Sequence, residues 1–345
     1  MGRIKVILLS ILSISCYVTE EVLHIIDRSI TMKIKDKSLL NYKLESIKIV
    51  LNQPEYGKIR FYSLSGSGTY GYVFSGINDK DQKLAIKVHF EDSKSCDSCW
   101  NAYKSQQAII ATEKVKYIIK MERPVVYEMA GSTKTYVCAF LMEKGYVASS
   151  PMFADPKKMD SNTNKIVNFI EKTVEGFAYL NFGAGFYHAD VKPANLLWVN
   201  VKDGLIEPRI IDFDLSFKTE INSGKTGFKN FGDAAYTRDY RSPELLSFIP
   251  KWDFENDSQR AIYERDFVFD VLYREESFAV GKSLREILKI NESLINVNDD
   301  RIINIDETLK NMMISKIGDR WSTKSAWEYL QKPLEKKAAY VRKYI

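Results

Sequence analysis

The stretch that most limits what this chain can fold into is Tyr187-His188-Ala189-Asp190-Val191-Lys192-Pro193-Ala194-Asn195-Leu196-Leu197, followed by Arg209-Ile210-Ile211-Asp212-Phe213-Asp214. Two features upstream would carry little weight alone. The first is Gly66-Ser67-Gly68-Thr69-Tyr70-Gly71-Tyr72-Val73, whose GxGxxG spacing also occurs in dinucleotide-binding folds and in ordinary hairpins. Here it stands between two strand-like runs, not between a strand and a helix, which argues against a dinucleotide fold. The second is Ala85-Ile86-Lys87-Val88. A lysine among apolar strand residues is costly to bury without an anionic partner, and phosphate groups would supply one. At a sheet edge the same lysine would simply face solvent.

Taken together and in this order, the glycine turn, the strand lysine, HxDxKxxN and DFx resemble the eukaryotic protein-kinase family. The resemblance runs over roughly residues 59–334. It implies an α+β, bilobal protein-kinase fold: a β-rich small lobe over about residues 56–145, an α-helical large lobe over about 146–340, and ligand held between them. Residue by residue, it implies that Asp190 orients a substrate hydroxyl and accepts its proton, and that Lys192 meets the γ-phosphate of ATP. Asn195 and Asp212 would be the oxygen ligands of Mg²⁺ carried on the phosphates. Gly66, Ser67, Gly68 and Gly71 would cover the phosphates and Lys87 would hold them. Val73, Ala85 and Leu197 would enclose adenine, with Met142 as gatekeeper and Glu143 to Tyr146, Gly145 included, as hinge.

Tyr236-Thr237-Arg238-Asp239-Tyr240-Arg241-Ser242-Pro243-Glu244 is similar to the end of the activation segment in cyclin-dependent and MAP kinases. In that picture Thr237 bonds to Asp190 and Lys192, which favours serine or threonine as acceptor. Arg320, in Gly318-Asp319-Arg320-Trp321-Ser322, would pair with Glu244. His188 would pack under Phe213 in a stack completed by Ile110 and Met121, and would not serve as a base.

Several positions depart from the family pattern. His188-Ala189-Asp190 lacks the arginine that reads a phosphorylated activation loop (a non-RD loop), so that switch is not expected to be needed. Asp214 replaces the glycine of DFG, which removes backbone freedom from the metal motif and leaves DFD. Counting back from residues 117–121, taken as the fourth strand, puts Gln106 or Gln107 where a helix glutamate should pair with Lys87. Glu276-Ser277-Phe278-Ala279-Val280-Gly281 loosely matches D-x-W-S-x-G, with Glu for Asp and Phe for Trp. The charged insert at 251–265 reads as a solvated loop.

The rest of the chain sets context. Its 345 residues suit one two-lobed domain, and 45% hydrophobic with 28% charged residues allow a sizeable core. A net charge of +5, with no basic run interleaved with aromatics, argues against nucleic acid as partner. Arg3 and Lys5 precede the apolar run 6–14, too short to cross ~30 Å of hydrocarbon, and small Ser13 and Ser15 stand three and one residues before a possible cut between Ser15 and Cys16. That order predicts a signal peptide over 1–16, no membrane span after its cleavage, and a secreted protein or one in the lumen of a secretory organelle. Residues 17–55 read as a polar extension with some helical periodicity (Leu39, Leu40, Leu44, Ile47, Val50), ahead of a kinase domain at 56–340. Of Cys16, Cys96, Cys99 and Cys138, the CxxC at 96–99 is either a small local disulfide or two thiols at a helix start; no zinc spacing follows. Asn256 and Asn291 stand in glycosylation sequons. Helical periodicity begins at 164, where Ile166, Phe169, Ile170, Val174, Phe177 and Leu180 define one apolar face, and further helices are expected at 283–288 and 322–330.

The expected activity is transfer of the ATP γ-phosphate to protein serine or threonine. The other class is a pseudokinase that binds nucleotide or partners without transfer, suggested by the absent helix glutamate and by Asp214. A small-molecule kinase of the choline or aminoglycoside type is disfavoured, because those folds lack the segment ending at 237–244 and its tie to Arg320. A signal peptide, a non-RD loop and an insert ahead of Glu276 together look similar to the secreted rhoptry-type kinases of apicomplexan parasites.

Overall fold

The computed structural model describes residues 46–47, 50–51, 53, 56, 59–67, 71–91, 97–113, 115–129, 135–201, 205–218, 237–243, 246 and 270–333. The chain divides into two compact units, Met1–Tyr103 with Ile119–Lys144, and Lys104–Ile118 with Gly145–Ile345. The division between Lys144 and Gly145 falls inside the expected hinge.

The first unit is built on an antiparallel sheet of β1 (Ile59–Ser67), β2 (Gly71–Asn78), β3 (Lys83–Glu91), β4 (Val125–Met129) and β5 (Thr135–Glu143), in the order β1-β2-β3-β5-β4. Register decides which side chains share a face. Val73, Lys87 and Phe140 stand opposite one another across three strands, and Ser75, Ala85 and Met142 form the next row but one. Because side chains alternate with period two, these six occupy one face. The other face carries Tyr72, Phe74, Ile86, Val88, Ala139 and Leu141. These pack with Ile47, Val50, Leu51 and Tyr56 into one core. The periodic residues Ile47 and Val50 of the extension therefore cover the sheet face opposite Lys87.

Helix α1 (Asp97–Ile110) buries Cys99, Ala102, Gln106 and Ile109 at spacings of three and four. Two sequence expectations change here. Ile110 is 40% exposed, and Ile109 is the residue packed in a core cluster with Ile118 and Phe213. Cys99 is bonded to Cys138 on β5, not to Cys96, which lies outside the described residues. Cys138 points to the Lys87 face, two positions before Phe140, so the disulfide fastens the start of α1 to that face. A further correction concerns 117–121. Only isolated bridges form there, Ile118 to Ile210 and Met121 to Met142, while the fourth strand is Val125–Met129.

The second unit is mostly helical. Helix α2 (Met159–Ala178) buries Ile166, Phe169, Ile170, Val174 and Phe177 on the predicted face and continues into a π-helical turn, Tyr179–Gly183. Around it lie α3 (Asp270–Asn291), α4 (Asp300–Met312) and α5 (Thr323–Leu330), the last started by the Ser322 hydroxyl accepting from Ser325 N at 3.2 Å. Two small sheets complete the unit, β6 (Tyr146–Val147) with β8 (Leu196–Asn200) and β9 (Ile206–Ile210), and β7 (Phe186–Tyr187) with β10 (Phe217–Lys218). Among the described residues no helix is long and apolar enough to cross a membrane.

Candidate active site

Between β7 and β8 the chain makes a loop held by its own polar groups. Pro193 opens a 3₁₀ turn ending at Asn195, whose amide N donates to Lys192 O at 2.9 Å. The Asn195 side chain then donates to the Asp190 carbonyl at 2.9 Å and to its carboxylate at 3.1 Å. With its NH₂ committed to Asp190, the Asn195 Oδ1 is the atom left for a hard cation. The hairpin of β8 and β9 pairs Leu196 with Ile210, and Ile211 N donates to Asn195 O at 3.1 Å. Register alone therefore sets Asn195 beside the strand end that leads to Asp212. Asp212 has a left-handed backbone (φ 70), and Phe213 after it is fully buried.

Thr237 comes to this loop from the far side of the sequence. Its hydroxyl lies 2.8 Å from Asp190 Oδ1, while Lys192 Nζ is 2.6 Å from Asp190 Oδ2 and 2.9 Å from the Thr237 hydroxyl. Asp190 is thus held by an ammonium, a hydroxyl and an amide at once, with its side chain only 8% exposed.

His188 is wholly buried and its ring centroid lies 5.0 Å from that of Phe213. Burial lowers its pKa, so the imidazole is neutral. A neutral ring with Nε2 donating to Ile211 O at 2.8 Å must accept through Nδ1, and Asp190 N is 3.3 Å away to supply that bond. Both nitrogens are occupied, which leaves no basic atom for catalysis.

Beneath the loop stands a pair of carboxylates on α3. Glu276 accepts from His188 N at 2.5 Å, from Ala189 N at 3.2 Å and from the Asn181 amide. Burial pushes its pKa up to about 7, against the lowering effect of those three bonds. Glu275 meets Tyr187 Oη and, at 3.3 Å, Arg241 Nη1, which also donates to Tyr187 Oη at 2.9 Å. Burial and Glu275 raise the Tyr187 pKa, so the hydroxyl keeps its proton. The sequence reading matched Glu276 to a family motif, yet Glu275, Tyr187 and Arg241 drew no role. The local hint is a tandem of acids in a helix whose buried residues include Phe278, Val280, Leu284 and Ile287.

The remaining predicted residues fall as follows. Val73, Ala85, Lys87 and Met142 share one face of the first unit's sheet, with Gly66, Ser67 and Glu143 at strand positions beside them. At Gly71 an added Cβ would stand 2.0 Å from Val88 O, so no larger residue fits that turn. Gly68 lies outside the described residues. In the second unit Gly145 lies against Leu197, whose side chain would be 2.8 Å from a Cβ at 145. Gln106 is wholly buried and Gln107 exposed, so Gln106 holds the inward helix position. Arg320 is also fully buried and donates to Ile314 O at 2.8 Å, Ser315 O at 3.2 Å and Arg274 O at 3.3 Å. Glu244, its expected partner, lies outside the described residues, as do the insert 251–265, Asn256 and the signal region. Asn291 corrects another expectation. It is fully buried, its amide bonded to Ile287 O at 2.8 Å and its oxygen to Met152 N at 2.8 Å, so it cannot take a glycan.

A β-rich unit with a lysine on one face of its sheet, and a helical unit carrying this Asp-Lys-Asn-Thr cluster, define the protein-kinase fold. The model of the protein kinase domain matches residues 60–262, more than half of the chain, and the chain belongs to that family. It is 26% identical over 182 residues to cyclin-dependent kinase F-3 of Oryza sativa subsp. japonica, covering 52% of this chain and 37% of that protein. Serine/threonine-protein kinase MAK of Mus musculus is 29% identical over 184 residues, covering 52% and 26%. Cysteine-rich receptor-like protein kinase 45 of Arabidopsis thaliana is 23% identical over 310 residues, covering 79% and 80%. The chain thus spans well under half of the first and second of these relatives and most of the third.

Proposed function

We propose that this chain is a serine/threonine protein kinase that uses Mg²⁺-ATP and works in the secretory pathway, either secreted or in the lumen of a secretory organelle. The observation that carries the activity is the triangle of Asp190, Lys192 and Thr237, closed by contacts of 2.6, 2.8 and 2.9 Å. Asp190 orients the acceptor hydroxyl and takes its proton as the oxygen attacks the γ-phosphorus. The bond from that phosphorus to the β,γ-bridging oxygen breaks, and ADP leaves. Lys192 stands where it offsets charge on the transferring group, and Thr237 fixes the carboxylate rotamer. Asn195 and Asp212 offer an amide oxygen and a carboxylate, a donor set that suits Mg²⁺ when substrate phosphates complete the shell. When bound, the ion neutralises phosphate charge.

Two observations support a secretory setting. The basic, apolar and small residues of 1–16 stand in signal order. The Cys99–Cys138 disulfide is a bond of the kind that persists in oxidising compartments and supports that setting. The rhoptry-type likeness is consistent with both and would make host or secretory proteins the substrates.

A second reading is favoured by one observation: Gln106, uncharged, occupies the buried helix position that the family resemblance assigns to a glutamate. A glutamine can hydrogen-bond to a lysine without neutralising it, and a non-transferring scaffold would tolerate that. Transfer of label from ATP with Mg²⁺ decides between the two, comparing wild type with Asp212→Ala and following with phosphoamino-acid analysis. Label on serine or threonine that disappears in Asp212→Ala establishes the kinase. Equal signal in both folded proteins establishes the scaffold.

A further inference from the structure

Ala189 occupies an unusual place. It precedes Asp190, lacks the family's arginine side chain, and has φ 71, a left-handed conformation that is unfavourable for a non-glycine residue. Such a conformation persists only where the surroundings impose it. On the amino side, Glu276 holds the amides of His188 and Ala189. On the carbonyl side, Arg241 Nη2 donates to Ala189 O.

Arg241 is itself fixed. It is 6% exposed, and its Nη1 donates to Tyr187 Oη and to Glu275. Glu275 is 1% exposed and also receives Ser242 N at 3.5 Å. The 3₁₀ turn Arg238–Tyr240 separates Arg241 from Thr237. Its two ends therefore grip consecutive loop residues: Thr237 the side chain of Asp190, and Arg241 the carbonyl of Ala189.

We propose that Arg241 is a positioning residue for Asp190: locked by Glu275 and Tyr187, it clamps the Ala189 peptide and takes over, from the far end of the activation segment, the aiming of the carboxylate that a phosphate-reading loop arginine would otherwise perform. Activity in this chain then needs no phosphorylated loop. The inference rests on the kinase reading above for its catalytic meaning, while the clamp itself is a statement about the loop.

Four full-length variants test it: Arg241→Met, Arg241→Lys, Tyr187→Phe and, as control, Arg285→Lys in the Asp306 pair on α3 and α4. Each is measured for kcat and KM for ATP, and for amide hydrogen exchange over residues 186–197. Arg241→Met should lower kcat on the order of a hundredfold with KM for ATP nearly unchanged, the signature of a misplaced group and not of lost nucleotide binding. Arg241→Lys should recover part of the rate, because one ammonium can serve only part of the fork. Tyr187→Phe, which deletes one oxygen, should show a smaller loss in kcat. Exchange at Ala189 and Asp190 should quicken in all three and not in the control. Wild-type kcat in Arg241→Met, or unchanged exchange in all three, overturns the proposal. If Arg241→Met does not fold, Arg241→Lys and Tyr187→Phe decide by the same two readings. If wild type transfers no phosphate, the kinase reading falls, and exchange alone decides the clamp: faster in Arg241→Lys and Tyr187→Phe upholds it, unchanged rejects it.

Discussion

The hydroxyl of Thr237 lies 2.8 Å from Oδ1 of Asp190, across 47 positions of sequence. Lys192 Nζ lies 2.6 Å from the other oxygen, so both carboxylate oxygens of Asp190 have a partner. Thr237→Ala should lower kcat roughly tenfold or more, the equivalent of losing ~1.5–2 kcal/mol from a hydrogen bond to a charged group. Thr237→Ser should stay near wild type, because it keeps the oxygen. Steady-state phosphate transfer measures both; a Thr237→Ala enzyme with full kcat removes Thr237 from the site.

Glu276 makes stability depend on pH. Its pKa of about 7 in the folded chain stands above the ordinary 4.5. Folding therefore favours its protonated form; the stabilisation is complete below pH 4.5 and is lost as pH rises through 7. Above that, charging the buried group costs about 3 kcal/mol relative to acid pH. Thermal unfolding from pH 4.5 to 8 should show wild type losing ground to Glu276→Gln by that order. Parallel curves for the two proteins would place the group's titration elsewhere.

The Cys99–Cys138 bond closes a separation of 39 residues. In the chain-entropy account a loop of that size restricts the unfolded state by about 4 kcal/mol. Reduction, or Cys99→Ser with Cys138→Ser, should therefore lower the melting temperature markedly, while Cys96→Ser should change it little. A peptide map linking Cys96 to Cys99 would contradict the pairing.

Asn291 uses both ends of its side-chain amide inside the second unit. Asn291→Ala strands the buried Met152 amide and should cost ~1–3 kcal/mol. It should not alter glycosylation. Any glycan found on protein from a secretory host should map to Asn256, and its mass should disappear in Asn256→Gln. A glycopeptide carrying Asn291 would sink this assignment.

Much of the site was legible because its residues are close in sequence and chemically irreplaceable. Asp190, Lys192 and Asn195 sit within one loop whose hydrogen bonds run over two to five positions. The strands that carry Val73, Ala85, Lys87 and Met142 stand out as short strand-like runs, and the buried face of α2 by its helical period. Thr237 was reached only through the family resemblance, since nothing local ties it to Asp190. Ile110 in place of Ile109 shows the limit of the resemblance: it names a helix position, while burial follows the spacing of Cys99, Ala102, Gln106 and Ile109. The segment 117–121 has the composition of a strand, yet the fourth strand is Val125–Met129. Asn291 shows another limit, since a sequon records residue types and says nothing of burial.

By itself the sequence determined the chemistry: which carboxylates, lysine and amide the chain owns, and that they stand in the order of a protein kinase. It also showed the gap, an alanine where an arginine is expected. Only the tertiary structure decided what fills that gap. Arg241 reaches the Ala189 carbonyl from 52 positions away and is held by Glu275 from 34 positions further on. It likewise decided that Cys99 bonds to Cys138 and that Gln106, not Gln107, faces inward. The physical reason is common to all three. A buried polar group must find a partner, and which partner it finds depends on how strands and helices pack, a proximity that no local spacing along the chain encodes.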